Sequence, residues 1–201
     1  MGHLLQLVFS GLTTGSIVAL TALGFVTVYN VTGVLNFTQG DFIMVGAMTM
    51  AVLTAAGVPW PAALLISVAA ATLVGIAVEI TLRPVRRFGT IAQVIATIGL
   101  SIAIQGTALI LWGTTPRAVP PFTDRPPLSL MGASLVPQAA WVMGITAVLV
   151  TLLSLFFQRT QLGSAVRACM ANPTASRLVG ISPAAMAMLS FVLSAAVAGL
   201  G

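Results

Sequence analysis

Few side chains in this sequence are equipped for chemistry. Asp41, Glu79 and Asp124 are its three acids, His3 its one histidine and Cys169 its one cysteine. A metal site needs several His, Cys or carboxylate ligands brought together, and one His and one Cys 166 positions apart do not supply it. A lone cysteine permits no intrachain disulfide. A hydrolase buried among apolar helices would need a reactive pair, such as two aspartates or a serine with a histidine. His3 lies at the terminus, and Asp41 and Asp124 lie in separate segments. The eight basic residues are all arginine. A phosphate-binding Walker A loop uses a lysine to reach the phosphates, so this chain has none to offer. The residues therefore predict no catalysis, no cofactor and no metal.

What remains is a small set of polar residues in apolar surroundings. Asn36, Gln39 and Asp41 stand where an apolar run begins. They either line the mouth of a path or a gate, or cap a helix, since acids and Asn favour helix N-termini. Gln105 falls mid-way along another apolar run, where it would contact a transported solute or hydrogen-bond a neighbouring helix. Glu79 and Arg83 are spaced i, i+4, which predicts a surface ion pair. Gly11 and Gly15 form a GxxxG pair that would allow close helix approach.

The elements that must hold these residues follow from composition. Charged residues make up 5% of the chain against roughly 25% in soluble domains. With 58% hydrophobic residues and a mean hydropathy of +1.10, the chain could not cover itself with polar surface, and lipid must be its solvent. The expected fold is all-α, a polytopic transmembrane helix bundle of about six spans, since a span needs about 20 apolar residues. The runs 4–28, 42–56, 62–82, 91–112 and 138–157 are the first five, and Pro183 opens the sixth. Trp60 marks an interface. Residues 113–137 form a proline-rich loop outside the membrane, because proline lacks a backbone donor and breaks helices. No cleavable leader is read at the start. The last run is still apolar at Gly201, which predicts further C-terminal helices in the natural polypeptide, or a truncated form.

Arginine placement orients the bundle. Arg83, Arg86 and Arg87 follow the third span, and Arg159, Arg167 and Arg177 follow the fifth. Arg117 and Arg125 lie between the fourth and fifth, with Asp124 beside the latter. Two spans separate the basic loops, so they share one side, which the positive-inside rule makes cytoplasmic. The 29–41 link falls on the same side, with the N-terminus outside, unless a re-entrant segment near Asn36 reverses the N-terminus. The arginines are too few and too scattered for nucleic acid, which calls for a clustered basic face.

Within 158–182, Asn172-Pro173 and Ser182-Pro183 each place a capping residue before proline at a first helical position. They predict short helices over 162–171 and 173–179, with Gly180 as a C-terminal stop. Leu162, Val166 and Cys169 share one helix face, and Leu178 and Val179 form another. Such a hairpin either presents a knob to a partner's groove or rests on the headgroups as an interfacial helix.

Four stretches, in order, resemble the permeases of branched-chain amino acid ABC importers. They are Gly11-Leu12-Thr13-Thr14-Gly15-Ser16 and its continuation to Tyr29, Asn36-Phe37-Thr38-Gln39-Gly40-Asp41 with Met44-Val45-Gly46-Ala47, Arg83-Pro84-Val85-Arg86 with Ile98-Gly99-Leu100-Ser101-Ile102 and Gln105, and the segment 160–181. Gln39 stands where the family usually has His, and Asp41 where it usually has Glu. The resemblance implies one permease domain over 1–201 with 158–182 as its cytoplasmic coupling loop, in a bacterial inner membrane. It implies two cytoplasmic ATPase subunits, a second permease subunit (identical or different) and a periplasmic binding protein that delivers leucine, isoleucine, valine or a related ligand such as urea or a short amide. It places Leu162, Gly163, Val166, Arg167, Ala168, Asn172, Ala175, Arg177, Leu178 and Gly180 at the ATPase contact, with Leu162, Val166 and Leu178 as apolar anchors. Asn36, Gln39, Asp41 and Gln105 fall on the translocation path. The alternatives are a self-contained secondary transporter or channel, disfavoured because ion coupling calls for charges within spans, and a membrane scaffold.

Overall fold

The computed structural model describes residues 2–119, 128–130, 133–135 and 137–200. Its helices are α1 (Gly2–Thr32), α2 (Gln39–Ala55), α3 (Trp60–Leu82), α4 (Thr90–Trp112), α5 (Pro137–Arg159), α6 (Gln161–Ala171), α7 (Pro173–Leu178) and α8 (Pro183–Leu200), with a 3-10 turn over Pro84–Phe88. Among the described residues five helices are long and apolar enough to cross a membrane, and α2 is a shorter apolar helix of 17 residues. At 1.5 Å per residue α2 extends about 25 Å, short of a full hydrocarbon core. The bundle expected from the sequence is therefore present, with one of its six apolar helices short. The proline-rich loop contributes one element not expected: β1 (Leu128–Leu130) pairs antiparallel with β2 (Ala133–Leu135), Ser129 opposite Ser134. Asp124, Arg125 and Pro120, Pro121, Pro126 and Pro127 lie outside the described residues.

The centre is α3, α8, α2 and α1. Their contact is set by small residues, which let backbones approach where lipid removes any hydrophobic drive for helix association. A Cβ on Gly75 would meet Ala195 Cβ at 2.6 Å, one on Gly46 would meet Gly199 Cα at 2.9 Å, and one on Gly199 would meet Val68 Cα at 3.0 Å. Val28, Phe42, Val78, Leu82, Phe191, Ala195 and Ala198 fill the space around these approaches. Among the described residues the GxxxG pair takes no part, because Gly11 and Gly15 have nothing within 4 Å of an added Cβ.

The bundle has two distinct ends. Thr32, Val34 and Asn36 meet Leu82, Arg86, Gln93 and Thr97 around one small cavity, and Asn30 meets Phe157, Arg167 and Met170 around another. The α1–α2 link, the 3-10 turn and the α6–α7 hairpin thus share one end, as arginine counting predicts. Met50, Trp60, Val119, Gln138 and Trp141 gather at the opposite end.

Candidate functional site: a fastened hairpin and a broken helix

At the arginine-rich end α6 turns back across α5. Thr160 caps α6, its hydroxyl accepting from Gly163 N at 2.9 Å and donating to Phe156 O at 2.7 Å. Asn172 Oδ1 accepts from Thr174 N and Ala175 N, both at 3.0 Å, and starts α7. Gly180, at φ +83°, ends it, with Gly180 N donating to Arg177 O and Ile181 N to Ser176 O. The capping and stop signals read from Asn172-Pro173 and Gly180 are thus realised. Ser182 Oγ accepts from Ala185 N at 3.4 Å, at the long limit for such a bond.

The faces of α6 differ from the expected arrangement. Val166 and Cys169 are each 1% exposed, and Gly163 is buried against the backbone of Phe156 and Phe157. Gly163 and Val166 therefore face inward and fasten α6 to the bundle. The outward set is Leu162, Arg167, Arg177, Leu178 at 85% exposure and Val179 at 74%, together with Asn172, Ala175 and Gly180, while Ala168 is half-buried. Val179, expected from the sequence to share a face with Leu178, is exposed beside it.

A second arrangement lies at the same end, where α1 and α2 are interrupted. Gly33, at φ +66°, ends α1, its N–H donating to Tyr29 O at 2.7 Å. Residues 33–38 then run without helix to α2. Non-helical backbone at membrane depth is tolerated where it is buried in protein or lines a cavity. Asn36, Thr38, Gln39 and Asp41 are all buried here. Asn36 Oδ1 accepts from Thr38 N (3.2 Å) and Thr38 Oγ1 (2.7 Å). It braces the turn before α2 rather than capping the helix itself, since the cap position is Thr38. Gln39 Oε1 accepts from Ser194 Oγ of α8 at 2.6 Å. Gln105 Nε2 of α4 donates to Asp41 Oδ1 at 2.9 Å and to Ser101 Oγ at 3.1 Å. The helix-to-helix role anticipated for Gln105 is thus present. Among the described residues Asn36 Nδ2, Gln39 Nε2 and Asp41 Oδ2 have no hydrogen-bond partner. Three free polar valences within six residues form a polar seam at the buried start of α2, reaching Ser194 of α8 and Gln105 of α4. Gly24 of α1 leaves the room for it, because a Cβ there would run into the Gln39 amide.

Glu79 differs from expectation. It is fully buried, and its main partner is Arg86, whose Nη2 donates to Glu79 Oε2, while Arg83 Nε lies 3.6 Å from Oε1. The 3-10 turn brings Arg86 round. Arg86 also lines the small cavity beside Asn36, so this ion pair sits against the α1–α2 link.

Apolar helices surrounding a polar seam, with a hairpin fastened across one end, define a polytopic α-helical membrane protein built for more than anchoring. Comparison with known proteins narrows the class. The profile of the family described as "Branched-chain amino acid transport system / permease component" matches residues 7–201, and the chain belongs to that family. The chain is 28% identical, over 98% of its length and 69% of the relative's, to the high-affinity branched-chain amino acid transport system permease protein BraD of Pseudomonas aeruginosa. It is 29% identical, with the same coverage, to the corresponding LivH permease protein of Escherichia coli. A probable LivH permease protein of Methanocaldococcus jannaschii is 26% identical over 92% of this chain and 61% of that one. No solved structure matches the chain.

Proposed function

We propose that this chain is the membrane-spanning permease subunit of an ATP-binding cassette importer that moves branched-chain or related amino acids into a bacterial cytoplasm. In this reading a second permease subunit completes the pore. Cytoplasmic ATPases dock on the α6–α7 hairpin, and a periplasmic binding protein delivers the solute to the opposite end. The chain lies in the inner membrane with its arginine-rich end in the cytoplasm. Its own part is transport rather than catalysis.

The observation that carries the reading is the hairpin of a permease-family chain. Its inward face is fixed by Gly163, Val166 and Cys169, and its outward face offers Leu162, Leu178 and Val179 beside Arg167 and Arg177. Exposed apolar side chains ringed by cations suit the groove of a partner with an acidic rim. The mechanical route is short. α7 leads directly into α8, whose Ser194 holds Gln39 at the start of α2. A pull on the hairpin would displace α8 and act on the seam of Asn36, Gln39, Asp41 and Gln105, through which the solute would pass. Allosteric transmission requires such an element, held in one of two arrangements by a distant event.

The test is co-purification of the ATPase subunits with tagged permease. Leu178→Glu and Arg177→Glu should each abolish it while membrane insertion persists. Arg117→Glu, at the other end, should leave it intact. Undiminished co-purification in both hairpin variants would overturn the docking role.

A further inference from the structure

The crevice between α1, α5 and α6 shares Arg167 with the docking face, but its apolar walls serve neither that face nor the polar seam. It encloses about 340 Å³, at the small end of ligand sites and too narrow for a folded peptide segment. Its walls are apolar, with Leu23, Val150, Leu153 and Phe157 among them. Each of the two hydroxyls it contains already makes one bond. Thr27 Oγ1 donates to Leu23 O at 2.6 Å, and Ser154 Oγ accepts from Gln158 Nε2 at 2.9 Å. The interior therefore offers a polar solute few groups, and its surface is mostly apolar.

The mouth differs, with Arg167 exposed there beside Asn30. Among the described residues Arg167 has no ion-pair partner. The two acids among the described residues do not serve it: Glu79 is paired with Arg83 and Arg86, and Asp41 takes Gln105. An apolar slot between spans, closed at the interface by a cation with no counter-charge, is the arrangement that a lipid with a negative headgroup satisfies. Arginine suits this position because its planar fork takes two phosphate oxygens at once, while its stem lies along apolar surface.

We propose that this crevice binds one anionic phospholipid, its acyl chain lying between α1 and α5 and its phosphate held by Arg167. Such a lipid would wedge α6 against the bundle, since Val166 and Met170 form part of the crevice wall.

The test measures lipid retained by the purified full chain, by native mass spectrometry and by thermal unfolding in neutral detergent. Phosphatidylglycerol should be retained and should raise the unfolding temperature. Phosphatidylcholine and inorganic phosphate alone should do neither. Arg167→Gln should weaken phosphatidylglycerol retention at least about five-fold, Arg167→Lys should restore part of it, and Val26→Trp, which fills the crevice, should remove it. Arg177→Gln should retain the lipid like the unaltered chain. Equal retention by Arg167→Gln, equal retention of phosphatidylcholine, or the same stabilisation from phosphate alone would overturn the proposal. Because the readout is taken without ATPase, its failure leaves the docking reading standing, and failure of docking leaves the lipid site standing.

Discussion

A valine at Gly163 should lift α6 from the bundle, and the chain carries its own reporter of that event. A Cβ at this position would lie 2.7 Å from Phe157 Cα and 2.8 Å from Phe157 O, well inside ordinary contact. Both are backbone atoms of α5, so no side chain can turn aside. Overpacking of this kind costs about 1–3 kcal/mol, and two further methyl groups place the valine toward the top of that range, about 2–3 kcal/mol. The change in helix propensity from Gly to Val is a few tenths of a kcal/mol in the other direction and does not offset it. The strain is relieved when α6 opens. Cys169, the sole cysteine, lies on the inward face of α6 at 1% exposure. Its thiol reacts only from the opened state, so its labelling rate follows the local opening equilibrium. At 1.4 kcal/mol per decade, maleimide labelling of Cys169 should accelerate about 30- to 150-fold. Gly99→Val is the control: it is helical, exposed and has nothing within 4 Å of an added Cβ. Labelling of the folded Gly163→Val protein at the unaltered rate would refute the claim that close approach at Gly163 is what holds the hairpin.

Two further outcomes are expected. Glu79→Gln should lower unfolding stability in detergent by about 2–3 kcal/mol, less than the 3–5 typical of breaking a fully buried pair because the Arg86 side chain is 27% exposed. Arg83→Gln should cost under about 1 kcal/mol, since that side chain is 46% exposed and 3.6 Å away. Equal losses would contradict the assignment of Arg86 as the main partner. Cysteines introduced at Arg86 and Arg177 should react with an impermeant reagent only from the cytoplasmic side, and one at Thr115 only from outside; the reverse pattern would overturn the orientation.

The helices were legible because each rests on a local signal. Span 62–82 proved to be Trp60–Leu82 and span 91–112 proved to be Thr90–Trp112, since an apolar run between Pro, Gly and Arg punctuation has one reading in lipid. The hairpin's caps were legible for the same reason: Asn172 bonds two residues of its own first turn. The inward face of α6 was not. Leu162 and Val166 are both apolar, one turn apart, and their separation into outward and inward residues depends on the contact of Gly163 with α5. Glu79 misled because the nearest arginine in helical spacing was Arg83, whereas the 3-10 turn brings Arg86, seven residues on, to the same carboxylate. The bond from Ser194 to Gln39 joins residues 155 apart, and nothing local foretells it.

The distribution of charge then explains why this end of the molecule must recruit something. Asp41 is held by Gln105, and Glu79 is fully buried with its arginines. Arg87 lies over the Phe88 ring, 4.7 Å from its centre. Arg159, Arg167 and Arg177 have no ion-pair partner among the described residues. Two cations on the short hairpin and a third at the end of α5 beside it raise the local potential, and that field falls when anions arrive. Two kinds of anion fit the two places. The crevice at Arg167 opens along apolar helix walls, which suits a headgroup followed by an acyl chain. Arg177 stands on the outermost turn beside Leu178 and Val179, beyond the helices, which suits a protein groove with an acidic rim. The same positive charge that orients the chain in the membrane would thus be neutralised from two directions, by lipid beneath the hairpin and by the motor above it.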